Sequence, residues 1–349
     1  MNKPVLTLDE ITPEWLSELL HRKVTSVSAT AIGTGQVGAT YRLALAGDGV
    51  PSSIVAKLPS NDDLSRATGK THLTYLRESR FYKTFAGKKP MAVPYHLYIA
   101  FDEDNHAFTL IMHDLPHHKA GNQLSEPSRE EALAAMDAAA SIHAAWWGDT
   151  MLDTLDWPNG TKAVPPPIDV DALYHMFWPA FCDRYGERVN SEMHAVGEHF
   201  LGKINANNDA RQSPRCLTHN DYRPDNMLFN LADTAKPIVV VDWQTTGVGI
   251  GVGDIAYFTG TAFDAENRRA LESQLLARYR QGLIERGVCE SDLTYLEDDY
   301  ARSAVSGFLM GVTAAMVVER TERGDAMFLA MARRSAAMVF DHRERALPA

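Results

Sequence analysis

Hydrophobic and polar positions change their period several times along the chain, and each change marks an element. Thr12-Pro13-Glu14-Trp15 sets a capping residue before a proline, which predicts a short helix through Leu20. Tyr41–Leu45 alternates, Gly47-Asp48-Gly49 turns, and Ile54–Leu58 runs extended, so strand, turn and strand follow one another. Thr71–Phe85 then takes a helical period, with Tyr75, Phe81, Tyr82 and Phe85 on one face and Glu78 inside the same apolar stripe. Phe108–Met112 reads as a further strand. Ser128-Arg-Glu-Glu131 is a capping box, opening a helix with Leu133, Met136, Ala140, His143 and Trp147 on one face. An irregular linker around Trp157–Gly160 and Val164–Pro167 precedes an aromatic helical segment with Phe177, Trp178, Phe181 and Tyr185. Met227–Phe229 and Ile238–Val241 flank a polar turn and predict a hairpin. From Ala265 onward the period is helical.

The hairpin carries the chemistry. If its turn centres on Thr234, antiparallel pairing sets Asn226 opposite Asp242, within reach of one shared ion. Asp221 lies five residues before Asn226 in the entering loop. Asn226 and Asp242 are hard oxygen ligands of the kind Mg2+ takes along with substrate phosphates. Asp221 is left to accept a proton from an attacking hydroxyl. The loop His219-Asn-Asp221-Tyr-Arg-Pro-Asp-Asn226 thereby resembles the H-x-D-x-x-x-x-N catalytic loop of kinases, with Asp242 as the metal aspartate. The plain alternative is a hairpin with capping Asx residues.

Upstream, Gly33, Gly35 and Gly38 match G-x-G-x-x-G. Dinucleotide folds use this spacing too, but they need a helix at the third glycine. A strand follows here instead, which fits a loop folded over nucleotide phosphates, where missing side chains let backbone N–H groups approach the anion. The alternative is a glycine-rich hairpin turn. Lys57 sits in the next strand, and Glu78 faces the core, where a carboxylate is costly unless a cation meets it. Lys57 is the natural partner.

Composition narrows the partners. A formal net charge of −11 argues against nucleic acid or an anionic membrane, both of which reward basic patches. The three cysteines, Cys182, Cys216 and Cys289, lie far apart and form neither a zinc spacing nor a disulfide framework. The N-terminus turns acidic after one short apolar stretch, unlike a signal peptide, and Ala304–Val318 is too short for a membrane span. A cytoplasmic protein is expected, of open oligomeric state.

Taken in order, ITPEWL, IGTGQVGATYRL, IVAKLP, ESRFY, GNQLSEPSREEALAAMDAAASIHAAWW, CLTHNDYRPDN, VVVDWQ and GDIAYF resemble the aminoglycoside phosphotransferase and choline kinase superfamily, nearest its ecdysteroid-kinase-like branch. The resemblance covers essentially the whole chain. It implies an α+β, bilobal protein-kinase-like fold: an ATP-binding lobe over 1–113 that is β-rich with one key helix, and a larger, mostly helical catalytic and substrate-binding lobe over 114–349. It implies ATP-dependent phosphorylation of a small-molecule alcohol, with Mg2+. The carbonyl of His113 and the N–H of Leu115 then stand where a kinase hinge pairs with adenine. Arg223 would hold the γ-phosphoryl or pair with Asp225. Asp254 would cap a helix or brace the catalytic loop. Asn220 stands where many relatives have Gly, and Trp243-Gln244 where many have Trp-Glu. Other readings are a catalytically idle nucleotide-binding module, a protein kinase, and a dinucleotide oxidoreductase. The missing A-P-E-like segment weighs against the protein kinase. Glu297-Asp298-Asp299 reads as a solvated acidic patch.

Overall fold

Thr12 does cap the first helix, accepting the Trp15 N–H at 3.2 Å, and Pro13 opens α1 (Pro13–Leu20). The computed structural model describes residues 3–33, 38–157 and 169–347. Its contacts divide the chain into two compact units, one of Met1–Lys89, Val93–His118 and Val241–Thr245, the other of Pro90–Ala92, Lys119–Val240 and Thr246–Ala349.

In the first unit β1 (Val24–Ala31), β2 (Gly38–Gly47), β3 (Ser53–Pro59), β4 (His96–Asp102) and β5 (Ala107–His113) form one antiparallel sheet in the order β1-β2-β3-β5-β4. Leu16, Leu43, Ile54, Ala56 and Ile111 are buried in its core. The helix expected over 71–85 is interrupted. Leu73 is left-handed (φ 55°), and it separates α2 (Asp63–Thr71) from α3 (Thr74–Thr84). The stripe of α3 is buried as its period requires, Tyr75 stacking on Phe108 at 4.7 Å.

The second unit is mostly helical. After β6 (Lys119–Ala120), Ser128 and Glu131 close their capping box and start α4 (Arg129–Ala145). Then come α5 (Val170–Tyr185), α6 (Ser191–His199) and α7 (Ile204–Asp209). Of the aromatic segment, Trp178, Phe181 and Tyr185 of α5 are buried, as is Tyr174, while Phe177 is half-buried. The linker over 158–168 lies outside the described residues. Four short strands come next, β7 (Arg215–Thr218), β8 (Met227–Phe229), β9 (Ile238–Val240) and β10 (Gly247–Ile250). Helices α8 (Val252–Ala262), α9 (Ala265–Glu285), α10 (Leu296–Ser303), α11 (Ser306–Val317), α12 (Glu322–Asp341) and α13 (Arg343–Ala346) complete the unit. No helix among the described residues is long and apolar enough to cross a membrane.

Two expectations are corrected here. The hairpin register is one residue off, because β8 and β9 pair Met227 with Val240 and Phe229 with Ile238. Asp242 (φ 65°) lies beyond the end of β9. The glycine-rich segment after it, Gly247–Ile250, pairs with β7. Asp299 is buried rather than solvated. Its carboxylate accepts the backbone N–H groups of Gln212 and Ser213, which a turn would otherwise leave unpaired.

Candidate active site

The loop His219-Asn220-Asp221 leaves β7 in a bend that puts Asn220 at φ 63°, a conformation asparagine tolerates better than most residues. What holds the bend is Asp254, in the first turn of α8. Its Oδ2 accepts the His219 N–H at 2.7 Å and its Oδ1 the Asn220 N–H at 2.8 Å. His143 of α4 lies behind it, with Nε2 3.1 Å from Asp254 Oδ2 and Nδ1 2.8 Å from the Tyr279 hydroxyl. That pattern suits a ring that donates from Nε2 and accepts from Tyr279 at Nδ1. Burial pushes the Asp254 carboxyl pKa up, but the hydrogen bonds from His143 and from the loop N–H groups outweigh it and leave the pKa below the ordinary value. Asp254 therefore braces the loop, and α8 has Gly251 at its capping position. A Cβ on Gly251 would lie 2.8 Å from both Cys216 Sγ of β7 and His143 Nδ1 of α4, so the start of α8 can sit this close to both only with glycine there.

With the backbone held, the Asp221 carboxylate is surrounded by donors. Oδ1 accepts from the Tyr257 hydroxyl at 2.7 Å and from Arg223 Nε at 2.9 Å. Oδ2 accepts from Asn226 Nδ2 at 2.8 Å and, more distantly, from Arg223 Nε at 3.1 Å. Asn226 Nδ2 also donates to the Asp221 carbonyl at 2.9 Å. Both of these Asn226 contacts use the amide nitrogen, which leaves its Oδ1 as an oxygen for a cation. Arg223 pairs with both neighbours, reaching Asp225 through Nη1 at 2.9 Å, while Arg323 of α12 meets Asp225 from the other side at 3.0 Å. Burial pulls the Arg223 pKa down, and the Asp221 and Asp225 carboxylates more than reverse it, so the guanidinium stays charged.

The first unit holds a second cluster. Lys57 and Glu78 are both buried, with Nζ 2.7 Å from Glu78 Oε2 and 2.9 Å from Asp242 Oδ1. Burial opposes the ammonium, yet the two carboxylates raise its pKa above the ordinary lysine value. Asp242 is fixed by its neighbour, for Trp243 lies flat on Phe81 of α3, rings 3.9 Å apart, and the Trp243 backbone N–H points to Glu78 Oε1 at 3.4 Å. Gly33 is left-handed at φ 77°, and a Cβ on Gly38 would sit 3.3 Å from the Leu58 carbonyl and 3.6 Å from Lys57 Cε. Gly35 lies outside the described residues.

After β5, His113 is exposed, and the Leu115 N–H already donates to Asp114 Oδ1 at 2.8 Å. Arg42 and Ser53 hold that carboxylate at 2.7 and 2.6 Å. The sequence reading did not foresee this clamp, nor the roles of Tyr257, His143 and Tyr279. The spacing of Asp254 and Tyr257, three apart on one helix, was the available signal.

These features can be set beside known proteins. The model of the phosphotransferase enzyme family matches residues 28–288. The chain belongs to that family. An ethanolamine kinase from Plasmodium vivax has the same fold at a TM-score of 0.57 and 12% identity, covering 92% of this chain and 84% of that one. A choline kinase from Cryptosporidium parvum matches with a TM-score of 0.56, 12% identity and 90% of each chain covered. The GDP complex of an aminoglycoside 2'-phosphotransferase-IIIa variant matches with a TM-score of 0.50 and 15% identity, over 92% of this chain and 93% of that one. At such low identity the likeness is one of fold, the kinase-like bilobal class. No curated protein sequence matches the chain. As a member of the family the chain is a small-molecule phosphotransferase; the roles of its residues and the acceptor are a separate matter.

Proposed function

We propose that the chain is an ATP-dependent kinase that phosphorylates a hydroxyl of a small molecule, with Asp221 as the base. The observation that carries this reading is the Asp221 carboxylate bonded to Asn226 across the H-x-D-x-x-x-x-N loop. Asn226 through Oδ1 and Asp242 through its carboxylate are the oxygens that would hold Mg2+, in keeping with a cation that takes few protein ligands and several phosphate oxygens. Substrate phosphates would complete the shell, as Mg2+ usually has it. When bound, the ion supplies neutralisation of charge on the phosphates.

The chain's own groups do the rest. Lys57, kept cationic and oriented by Glu78, meets phosphate oxygens, and the backbone N–H beside Gly38 would approach them; Gly35, expected from the sequence to contribute likewise, lies outside the described residues. The base edge of the nucleotide meets the His113 carbonyl. Leu115 would serve as a donor there only by sharing its N–H with Asp114. Asp221 takes the proton of the acceptor hydroxyl. Because phosphoryl transfer passes through a loose transition state, positioning and charge neutralisation carry most of the rate. Domain limits near residue 113 and a cytoplasmic setting belong to the same proposal.

The test is a screen of ATP consumption over aminoglycosides, choline-like amines, sugars and sterols, with Asp221→Asn as the blank. Wild-type turnover on one acceptor class, reduced roughly 10²–10⁴-fold in Asp221→Asn, is the expected result. Equal turnover by both proteins rejects Asp221 as the base.

A further inference from the structure

Asp221 is the group on which the proposed reaction turns, and one of its partners has no place in that account. Tyr257 sits one helical turn beyond Asp254 on α8, 3% exposed. Residues three apart share a helix face, so the same face that pins the loop backbone through Asp254 also delivers a phenol to the loop's carboxylate. The contact is short, 2.7 Å from the Tyr257 hydroxyl to Asp221 Oδ1, as charge-assisted O–H···O bonds are.

The donors are unevenly shared. Oδ1 has two close ones, Tyr257 at 2.7 Å and Arg223 Nε at 2.9 Å, which together fill the two lone pairs of a carboxylate oxygen. Oδ2 has one close donor, Asn226, and a longer contact from the same Arg223 nitrogen at 3.1 Å. Oδ2 is thus the oxygen with room for one more O–H. We propose that Tyr257 is a positioning residue for phosphoryl transfer: together with Arg223 it saturates Oδ1 of Asp221 and reserves Oδ2 for the acceptor hydroxyl.

This rests on the reading of Asp221 as the base. In the step it serves, the acceptor O–H passes its proton to Oδ2 and its oxygen forms the new bond to the γ-phosphorus. The bond from that phosphorus to the bridging oxygen breaks, both electrons staying with the nucleoside diphosphate, and Asp221 then releases the proton to solvent. Burial raises the Tyr257 pKa and the Asp221 charge adds to it, so the phenol remains a donor throughout.

Tyr257→Phe removes the hydroxyl and keeps the ring. In a crystal structure of that variant the Asp221 carboxylate should leave its wild-type rotamer while the His219–Asn220 backbone stays, because Asp254 still holds it. With Mg2+–ATP and water as the acceptor, kcat should fall roughly ten- to a hundredfold and KM for the nucleotide should stay within about twofold. A merely structural tyrosine would lower the melting temperature without that split. An Asp221 that keeps its place, with turnover within about twofold of wild type, overturns the proposal. Where hydrolysis is too slow to measure, the position of Asp221 decides alone. If Tyr257→Phe does not fold, 3-fluorotyrosine at 257 alters only the strength of the donor. Turnover should then move by more than about twofold, and unchanged turnover overturns the role. Asp221→Asn, assayed in parallel, separates the two claims. If it turns over like wild type the base reading fails, whereas an inactive Asp221→Asn beside an unperturbed Tyr257→Phe sinks only the role of Tyr257.

Discussion

A lysine under a sheet costs free energy unless a carboxylate meets it, and Lys57 meets two. Because the ammonium and Glu78 are both buried, removing one partner strands the other. Glu78→Ala should cost about 3–5 kcal/mol, read as a lower midpoint in chemical denaturation. The raised Lys57 pKa means the lysine's own share is present below the ordinary lysine value and fades only as the pH rises through the higher folded value, while burial raises the Glu78 pKa and sets a cost against that share above the ordinary carboxylate range. Asp254 has the opposite sign. Its folded pKa is depressed, so its contribution is full above the ordinary aspartate value and disappears as the pH falls through the folded one. Asp254→Asn should therefore destabilise the protein at pH 7 and flatten the loss of stability below about pH 4, which urea melts at a series of pH values would reveal. A variant whose stability falls in acid as steeply as wild type would show that Asp254 is not the group responsible.

At the scale of elements, glycine and caps decide how closely segments approach the His219–Asn226 loop. Gly121 follows β6, and a Cβ there would lie 2.2 Å from the Pro224 carbonyl, a backbone atom that cannot swing aside. Its own N–H donates to the Met227 carbonyl at 2.9 Å. Gly121→Ala should cost about 1–3 kcal/mol and lower turnover, since Pro224 lies between Asp221 and Asn226. Full stability by calorimetry would contradict this. The capping box of α4 is a milder case. Ser128 accepts the Glu131 N–H at 3.1 Å, and Glu131 accepts the Ser128 N–H at 2.8 Å. Both bonds are exposed, and Ser128→Ala should cost about 1 kcal/mol with activity retained.

For the molecule as a whole, the testable consequence is linkage between nucleotide, cation and stability. A ligand that binds only the folded state adds about 2.7 kcal/mol at a concentration one hundred times its Kd. Mg2+ with ATP should accordingly raise the melting temperature by several degrees. Chelation should remove most of that rise and all turnover, and added Mg2+ should restore both. Retention of full turnover in chelator would reject the metal role given to Asn226 and Asp242. The net charge of −11 belongs to this scale too, and gives no electrostatic pull toward polyanions.

Much of this was legible along the chain. The His219–Asn226 loop proposed as catalytic, the strand lysine, the stripe holding Glu78 and the caps at Thr12 and Ser128 all depend on local spacing, which sequence order states directly. Burial logic even named the partner of Glu78, because an unpaired core carboxylate is too costly to leave. What needed the tertiary structure was every outcome set by competition between distant groups. The hairpin pairs Phe229 with Ile238, one step from the expected register, and Asp242 meets Lys57, a contact between distant segments of which the turn residues carry no record. The Leu115 N–H was assigned to a ligand, but a clamp built from Arg42, Ser53 and Asp114 takes it first. Two donors to Asp221, Arg223 and Asn226, are local to its loop, whereas Tyr257 of α8 comes to it from far along the chain. The sequence determined which groups are present and which segments carry them. Only packing decided how many donors one carboxylate receives, because that count depends on where helices come to rest and not on the order of the residues.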